Sequence, residues 1–267
     1  MKILVTGATG NIGRMVVDHL LAGGATDVRA LSNHPERAGF PAGVEVAQGY
    51  LRRLSSLPAA FEGVDRMYLA PVLETVNEVV ELAKAAGVRH IVDLSGDEST
   101  DWQPIAKAVE GSGLDWTHLY AGEFSENAAI WADQIKASDE IRDPHPEAAN
   151  APLTMDDIAR TAAKVLLTEG HAGKTYELTG PETLTRAEKI HAIGAALGRD
   201  LTVVQVPRDE AIRMLEPAMG SYAEWYVDGI ASMVEHPQKP TTTIADVTGA
   251  PATSFAQWAR DNVELFR

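Results

Sequence analysis

The chain has 267 residues, 45% of them hydrophobic and 23% charged, with no cysteine; it can bury a large core and cannot be a disordered chain, a disulfide scaffold, a thiolate metal site or a cysteine-nucleophile enzyme. Against 23 basic residues stand 38 acidic ones, a net charge of −15 with no Lys/Arg cluster to interrupt it, so a nucleic-acid partner is not expected. No apolar run is long enough for a signal peptide or a membrane span, which makes a cytoplasmic location and the lack of a membrane partner the default expectations.

In chain order, residues 3–6 are apolar and partly β-branched, a strand, and residues 11–22 follow with Ile12, Val16, Leu20 and Leu21 at helical spacing until Gly23-Gly24 stops them. Strands are predicted at 28–31, 44–47 and 66–70, and a helix at 74–86 closed by Gly87. The nearly continuous apolar run at 88–94 suits a parallel strand covered on both faces. A helix at 102–110, with Pro104 near its start, and a strand at 114–119 complete the first half. This alternation predicts an α/β fold: a Rossmann-type, doubly wound parallel sheet with helices on both faces. Beyond residue 120 the pattern loosens. A helix is predicted at 156–167, a strand at 174–179, a helix at 186–197 ended by Gly198, a strand at 201–206, two helices within 208–235 and a last one at 254–266. With no linker or repeat, the division is a dinucleotide-binding domain at 1–150 and a smaller C-terminal α/β cap at 151–267, interleaved with the sheet rather than independent.

The strongest chemical signal is Thr6-Gly7-Ala8-Thr9-Gly10-Asn11-Ile12-Gly13, between the first strand and the first helix. Gly7 and Gly10 permit close backbone approach to a pyrophosphate, and Gly13 lets the helix pack tightly on the strand. The helix start beyond them offers unpaired N–H groups and the positive end of a dipole. A dinucleotide is therefore expected at Gly7, Thr9, Gly10, Asn11 and Ile12. After the second strand the chain reads Ser32-Asn33-His34-Pro35-Glu36-Arg37. No acidic residue stands at the strand end to bind a ribose 2′-hydroxyl, whereas Ser32, Asn33 and Arg37 suit a 2′-phosphate, so NADP(H) is favoured over NAD(H). An exposed arginine on a short helix is the competing reading of Arg37.

The phosphate loop, Val28-Arg29-Ala30-Leu31, Phe61-Glu62-Gly63-Val64-Asp65, Val88-Arg89-His90-Ile91-Val92, Gly113-Leu114-Asp115-Trp116-Thr117, His171-Ala172-Gly173-Lys174-Thr175-Tyr176 and Leu178-Thr179-Gly180-Pro181 resemble the NmrA-like branch of the atypical short-chain dehydrogenases/reductases. The resemblance runs over nearly the whole chain with the order of motifs preserved. It implies a Rossmann domain with a smaller C-terminal substrate-binding part. Members include NADPH-dependent quinone, azo-dye and triphenylmethane-dye reductases, and redox-sensing regulators that bind cofactor without catalysis. The chain departs from the pattern at Asn33, where the family often carries arginine. It has Tyr50-Leu51 in place of an Asp-Leu pair that meets the adenine, and Tyr120-Ala121 in place of an Arg-Pro pair. The Tyr50 ring either stacks on adenine or covers the strand end. No tyrosine has a lysine four residues later, as is usual in this branch.

Ligands of open α/β sheets sit at the carboxyl ends of the strands. Ala70-Pro71-Val72, after the fourth strand, is expected to run along the cofactor through its backbone. Ser95 ends the fifth strand and matches the active-site serine of the wider superfamily; its competing role is a loop cap. Tyr120 ends the sixth strand and is the preferred proton donor, its alternative being packing beneath the cofactor. Asp97 and Glu98 read as helix caps or as an acid/base pair. Glu123 and Asn127 follow Tyr120, and Asn127 matches a family asparagine that shapes the site. Trp131, Tyr222, Trp225 and Tyr226 read either as an aromatic wall for a planar acceptor or as helical core. His118, inside the sixth strand, reads as a core histidine, and no spacing resembles a metal site. The expected function is NAD(P)H-dependent hydride transfer to a small conjugated or carbonyl substrate of quinone, dye or ketone type. The alternatives are a non-catalytic NAD(P)-sensing regulator acting through a protein partner, and an enzyme using the same pocket for a non-redox step. The sequence carries no sign of an oligomeric state.

Overall fold

A computed structural model describes residues 1–267. In chain order the elements are β1 (Ile3–Val5), α1 (Asn11–Ala22), β2 (Val28–Ser32), β3 (Val44–Gln48), α2 (Pro58–Phe61), β4 (Arg66–Leu69), α3 (Val76–Ala85), β5 (His90–Ser95), α4 (Gln103–Gly111) and β6 (Asp115–Ala121). There follow α5 (Ala132–Ala137), β7 (Glu140–Asp143), β8 (Ala149–Asn150), α6 (Met155–Leu167), β9 (Lys174–Leu178), β10 (Leu184–Thr185) and α7 (Arg186–Leu197). The chain ends with β11 (Thr202–Gln205), α8 (Arg208–Met219), α9 (Tyr222–Glu235), α10 (Thr243–Thr248) and α11 (Phe255–Asp261). The predicted helix at 74–86 is α3, which starts at Val76 after a single 3₁₀ turn, Leu73–Thr75.

By contact the chain forms two units. The first comprises Met1–Ala121, Met155–Leu178 and Thr243–Ala250; the second comprises Gly122–Thr154, Thr179–Thr242 and Pro251–Arg267. One boundary at residue 150 does not follow these units. Strand β9 pairs with β6 and completes the sheet, and α6 covers that sheet, so both belong to the first unit despite their place in sequence.

The first unit is a seven-stranded, all-parallel sheet of order β3-β2-β1-β4-β5-β6-β9. Helices α2, α3 and α4 cover one face through a core that includes Leu4, Met67, Ile91, Phe61, Val79, Val80, Ile105 and Val109. Helices α1 and α6 pack against each other on the other face. The buried side of α1 is Gly13, Val16, Val17 and Leu20, a helical stripe facing the sheet. Because all strands run parallel, their carboxyl ends and the loops after them share one edge, with β1 at the point where the strand order reverses. The second unit is built around Trp131, Ile135, Ile141, Ile190, Ile193, Phe255, Trp258 and Phe266. Two short sheets flank that core, β10 antiparallel to β8 and β11 parallel to β7. Helix α7 carries a reciprocal Thr185–Glu188 capping box and ends at Gly198 with φ +70.

At the amino ends of the strands His90 is buried, with Nε2 2.9 Å from Thr117 Oγ1. Burial, helped by the positive charge of Arg66, lowers its pKa from 6.5 to about 4. Folded His90 therefore takes a proton less readily than unfolded His90, and the stability it confers above pH 6.5 is lost as pH falls toward about 4. The loss amounts to about 3 kcal/mol. Urea midpoints of the unsubstituted protein should fall across that window, and in His90→Asn, which cannot titrate, the fall should be shallower by about this amount.

Candidate functional site

The turn from β1 into α1 leaves no room for side chains at Gly7 and Gly13. Gly7 has φ +60, and a Cβ there would lie 2.8 Å from Ala70 Cβ; a Cβ on Gly13 would lie 2.2 Å from the Gly7 carbonyl oxygen. The N-cap of α1 is Gly10, which offers no side-chain acceptor, and the first turn holds no acidic residue. The first-turn N–H groups therefore lack intrahelical or capping partners. Gly7, Thr9, Gly10 and Asn11 are exposed and Ile12 is half-buried. An uncapped helix start behind a glycine-containing turn suits the phosphates of a dinucleotide. Thr6 ties this turn to the end of β4: its hydroxyl donates to Tyr68 O at 2.9 Å and accepts from Ala70 N at 2.8 Å. Ala70, Pro71 and Val72 are half-buried beside it.

Past β2, Ser32 is buried and its hydroxyl accepts from His34 N at 3.1 Å. Asn33 and Arg37 are exposed, Arg37 on a single 3₁₀ turn, Pro35–Arg37. Arg53, which the sequence reading passed over, donates from Nη2 to Asn33 Oδ1 at 3.0 Å and so brings a second guanidinium to the end of β2. Its neighbour Arg52 pairs instead with Glu74 at 2.9 Å. Arg14 of α1 stacks over the Phe40 ring, 3.8 Å from its centroid, and donates to the carbonyls of Ala38 and Gly39, fixing the segment that follows Arg37. Tyr50 is exposed, its ring open to solvent. Leu51 is buried in the core, so backbone is all it can offer a ligand.

At the ends of β5 and β6 the register sets Asp93 beside His118 and Ser95 beside Tyr120. Ser95, only 7% exposed, donates a hydrogen bond to Asp93 Oδ1, and Asp93 Oδ2 lies 2.7 Å from His118 Nδ1. His118 is indeed in the core, stacked on Trp116 at 4.1 Å and on the half-buried Tyr120 ring at 5.9 Å. Burial raises the Asp93 pKa, with the His118 hydrogen bond opposing it. Burial and the nearby Asp93, Glu110 and Asp97 raise that of Tyr120. Asp97 is held below the usual carboxylate range by the Ser99 hydroxyl and N–H, which makes it a turn cap.

The second unit holds a separate polar cluster. Arg186 grips Asp143 through Nε at 3.0 Å and Nη2 at 2.7 Å, Trp131 Nε1 donates to the same carboxylate at 3.0 Å, and Arg186 reaches Tyr226 Oη at 3.4 Å. Burial would raise the Asp143 pKa, but the Arg186 contacts outweigh it and hold it low. Lys189, also buried, donates to Asn150 Oδ1 at 2.9 Å; burial lowers its pKa to about 8, with Glu123 opposing. Glu123 Oε1 accepts from Asn127 Nδ2 at 3.1 Å. Glu123, Asn127, Trp131, Lys189 and Tyr226 line a cavity of about 10 Å³, room for a single water. Of the four aromatic residues read either as a wall for a planar acceptor or as helical core, Trp131 is buried in the core of the second unit and Tyr226 reaches the cavity. On α9 the buried register is Ala223, Val227 and Ile230, which turns Tyr222 and Trp225 outward, 72% and 69% exposed, and leaves Tyr226 on the flank. No group of three or more His, Asp or Glu is arranged to hold a metal ion, and no helix is long and apolar enough to cross a membrane.

The profile of the NmrA-like family matches residues 1–253. A (4-alkanoyl-5-oxo-2,5-dihydrofuran-3-yl)methyl phosphate reductase of Streptomyces griseus is 32% identical, with 99% of each chain covered. An NAD(P)H azoreductase of Xenophilus azovorans is 30% identical, again over 99% of each chain. The triphenylmethane reductase of Citrobacter sp. in complex with NADP(H) superimposes with a TM-score of 0.86 at 23% identity, covering 98% of this chain and 100% of that one.

Removing one partner of the Asp143–Arg186 pair leaves a buried charge uncompensated, so Asp143→Asn should cost about 3–5 kcal/mol in urea unfolding. The double substitution Asp143→Leu/Arg186→Met, which removes both charges, should cost less than the single one.

Proposed function

The chain belongs to the NmrA-like family, and on that premise we propose that it is an NAD(P)H-dependent oxidoreductase acting on a small conjugated or carbonyl compound. The observation that carries this is the uncapped start of α1 behind a turn in which neither Gly7 nor Gly13 has room for a Cβ, in a chain whose full-length relatives are named reductases. Those relatives' named substrates, an acyl-bearing unsaturated lactone and azo compounds, share an electron-poor conjugated double bond, and we take that as the substrate class here. A bound reduced nicotinamide supplies the hydride.

The chain's own residues bind, orient and supply a proton. The backbone at Gly7, Thr9, Gly10, Asn11 and Ile12 holds the pyrophosphate, and Ala70, Pro71 and Val72 lie along the cofactor with their backbone. At the adenosine end Ser32, Asn33, Arg37 and Arg53 receive a 2′-phosphate, with Tyr50 and Leu51 beside the adenine. Two guanidiniums, Arg37 and Arg53, near the end of β2, with the one carboxylate of that turn, Glu36, facing His34, favour NADP(H) over NAD(H). Ser95 and Tyr120, at the carboxyl ends of β5 and β6, are the catalytic candidates, each able to donate a proton to the reduced substrate. Of the substrate candidates in the second unit, Glu123, Asn127, Trp131 and Tyr226 line a cavity that holds one water at most, and Tyr222 and Trp225 stand in solvent, so their case is weaker than that of Ser95 and Tyr120.

Fluorescence titration should show NADPH binding more tightly than NADH. Arg37→Ala and Arg53→Ala should each weaken NADPH about tenfold with little effect on NADH. Consumption of NADPH with a quinone or an azo dye tests the reductase reading, and Tyr120→Phe should lower turnover if that phenol donates the proton. Tight cofactor binding with no turnover on any acceptor would favour a redox sensor instead.

A further inference from the structure

At the amino ends of the strands, the edge opposite the phosphate turn, the first unit carries a polar cavity that the proposed reduction does not use. Its volume is about 180 Å³, roughly ten times the space one water needs. Arg66, His90 and Asp115, the first residues of β4, β5 and β6, are register partners and stand in one row across the three strands. All three line the cavity, together with Arg89, Glu169 and His171. The Arg66 guanidinium is buried, its Nη1 donating to the carbonyls of Leu166 and Thr168 at 2.9 Å, and its Nη2 meets the Glu169 carboxylate. Glu169 reaches it from solvent, with a side chain 90% exposed. Both ring nitrogens of His171 are engaged, by Thr168 Oγ1 at 2.9 Å and Tyr176 Oη at 2.7 Å, so that ring serves as wall.

The tautomer of His90 follows from its partner. The Thr117 hydroxyl gives its one proton to His171 O at 2.7 Å, so its oxygen accepts from His90 Nε2–H at 2.9 Å. Nδ1 is then a lone-pair acceptor. It has no partner within the chain and is not sealed from solvent, so it opens into the cavity although His90 is only 6% exposed. Burial and Arg66 keep the ring neutral near neutral pH. Beside it in the row, the exposed Asp115 carboxylate makes no ion pair or hydrogen bond.

We propose that this cavity binds a small zwitterion bearing an ammonium and a carboxylate, the chemistry of an α-amino acid. The ammonium donates to the Asp115 carboxylate and to His90 Nδ1. The carboxylate accepts from Arg66 in place of Glu169, with Arg89 at the rim; Arg89 is 70% exposed and spends one nitrogen on Asp65 at 2.7 Å, which leaves donors over. A simple anion would face Asp115 and Glu169, and a simple cation would face Arg66 and Arg89. A metal ion would lack a set of three His, Asp or Glu ligands. A molecule with both charges meets each with its opposite, and the neutral imidazole between them accepts the ammonium where an imidazolium would repel it. The site leaves the phosphate turn untouched, so the assignment holds whether or not the chain is a reductase.

The test follows His90 by ¹⁵N NMR of the full chain, its Nδ1 resonance assigned by its loss in His90→Asn, with glycine, methylammonium chloride and sodium acetate as probes. Glycine should shift that resonance saturably and bind about tenfold more tightly than methylammonium or acetate alone. Asp115→Asn should weaken glycine binding about tenfold. Glu169→Gln, which removes the carboxylate competing for Arg66, should tighten it about threefold, the scale of an exposed ion pair. Both substituted side chains are exposed, and NADPH affinity should be the same in both variants as in the unsubstituted protein. The absence of a saturable shift with glycine, or unaltered glycine binding in Asp115→Asn, would overturn the site. Methylammonium binding as tightly as glycine, or glycine binding more weakly in Glu169→Gln, would overturn the carboxylate end and with it the zwitterion.

Discussion

Helix α1 approaches strand β1 so closely that Gly13 packs directly on the Gly7 carbonyl, where a methyl group would sit 2.2 Å from the oxygen. That contact sets the height of the helix over the sheet and the direction in which its start points. Because the N-cap is Gly10, no side chain satisfies the first-turn N–H groups, and their partial positive charge stays available to an anion. The same turn is pinned to the end of β4 by the Thr6 hydroxyl, which bridges Tyr68 O and Ala70 N. The strand order reverses at β1, so this fixed turn stands at the switch point, and the loops after β2, β3, β5 and β6 lie along the same edge.

Along that edge the side chains sort by charge. Toward β3 stand the guanidiniums of Arg37 and Arg53, with Glu36 turned to His34 and Arg14 bracing the segment between the two arginines. Toward β6 they are a serine hydroxyl, a tyrosine and a buried carboxylate–imidazole pair. One end is suited to hold phosphate and the other to manage a proton. A dinucleotide-dependent reduction divides its demands in that way: hydride comes with the cofactor, and the protein contributes position and protons.

Much of this was legible in the residues. Helix α1 runs Asn11–Ala22 as its spacing predicts, and the strands of the sheet fall within two residues of their predicted ends, because parallel strands covered on both faces read as apolar runs. What sequence could not show was pairing at a distance. Asp93 and His118 are 25 positions apart and meet through the register of β5 and β6; read singly, His118 was a core residue and Asp93 drew no notice. Arg53 reaches Asn33 across the β2–β3 edge, and Arg186 reaches Asp143 over 43 positions. Strand β7 escaped detection because Glu140–Asp143 has one apolar residue, Ile141, and Asp143 is buried by its arginine rather than by hydropathy. The aromatic residues of α9 could be placed only once the buried register of that helix was known, and it leaves Tyr222 and Trp225 outside.

The central claim is that a reduced dinucleotide rests on the start of α1. Amide hydrogen exchange with and without NADPH, read peptide by peptide, addresses it most directly. Strong protection of residues 7–13, with protection extending to 32–37 and 70–72, is the result this account requires. NADPH binding that leaves residues 7–13 exchanging as they do in the free protein would contradict it.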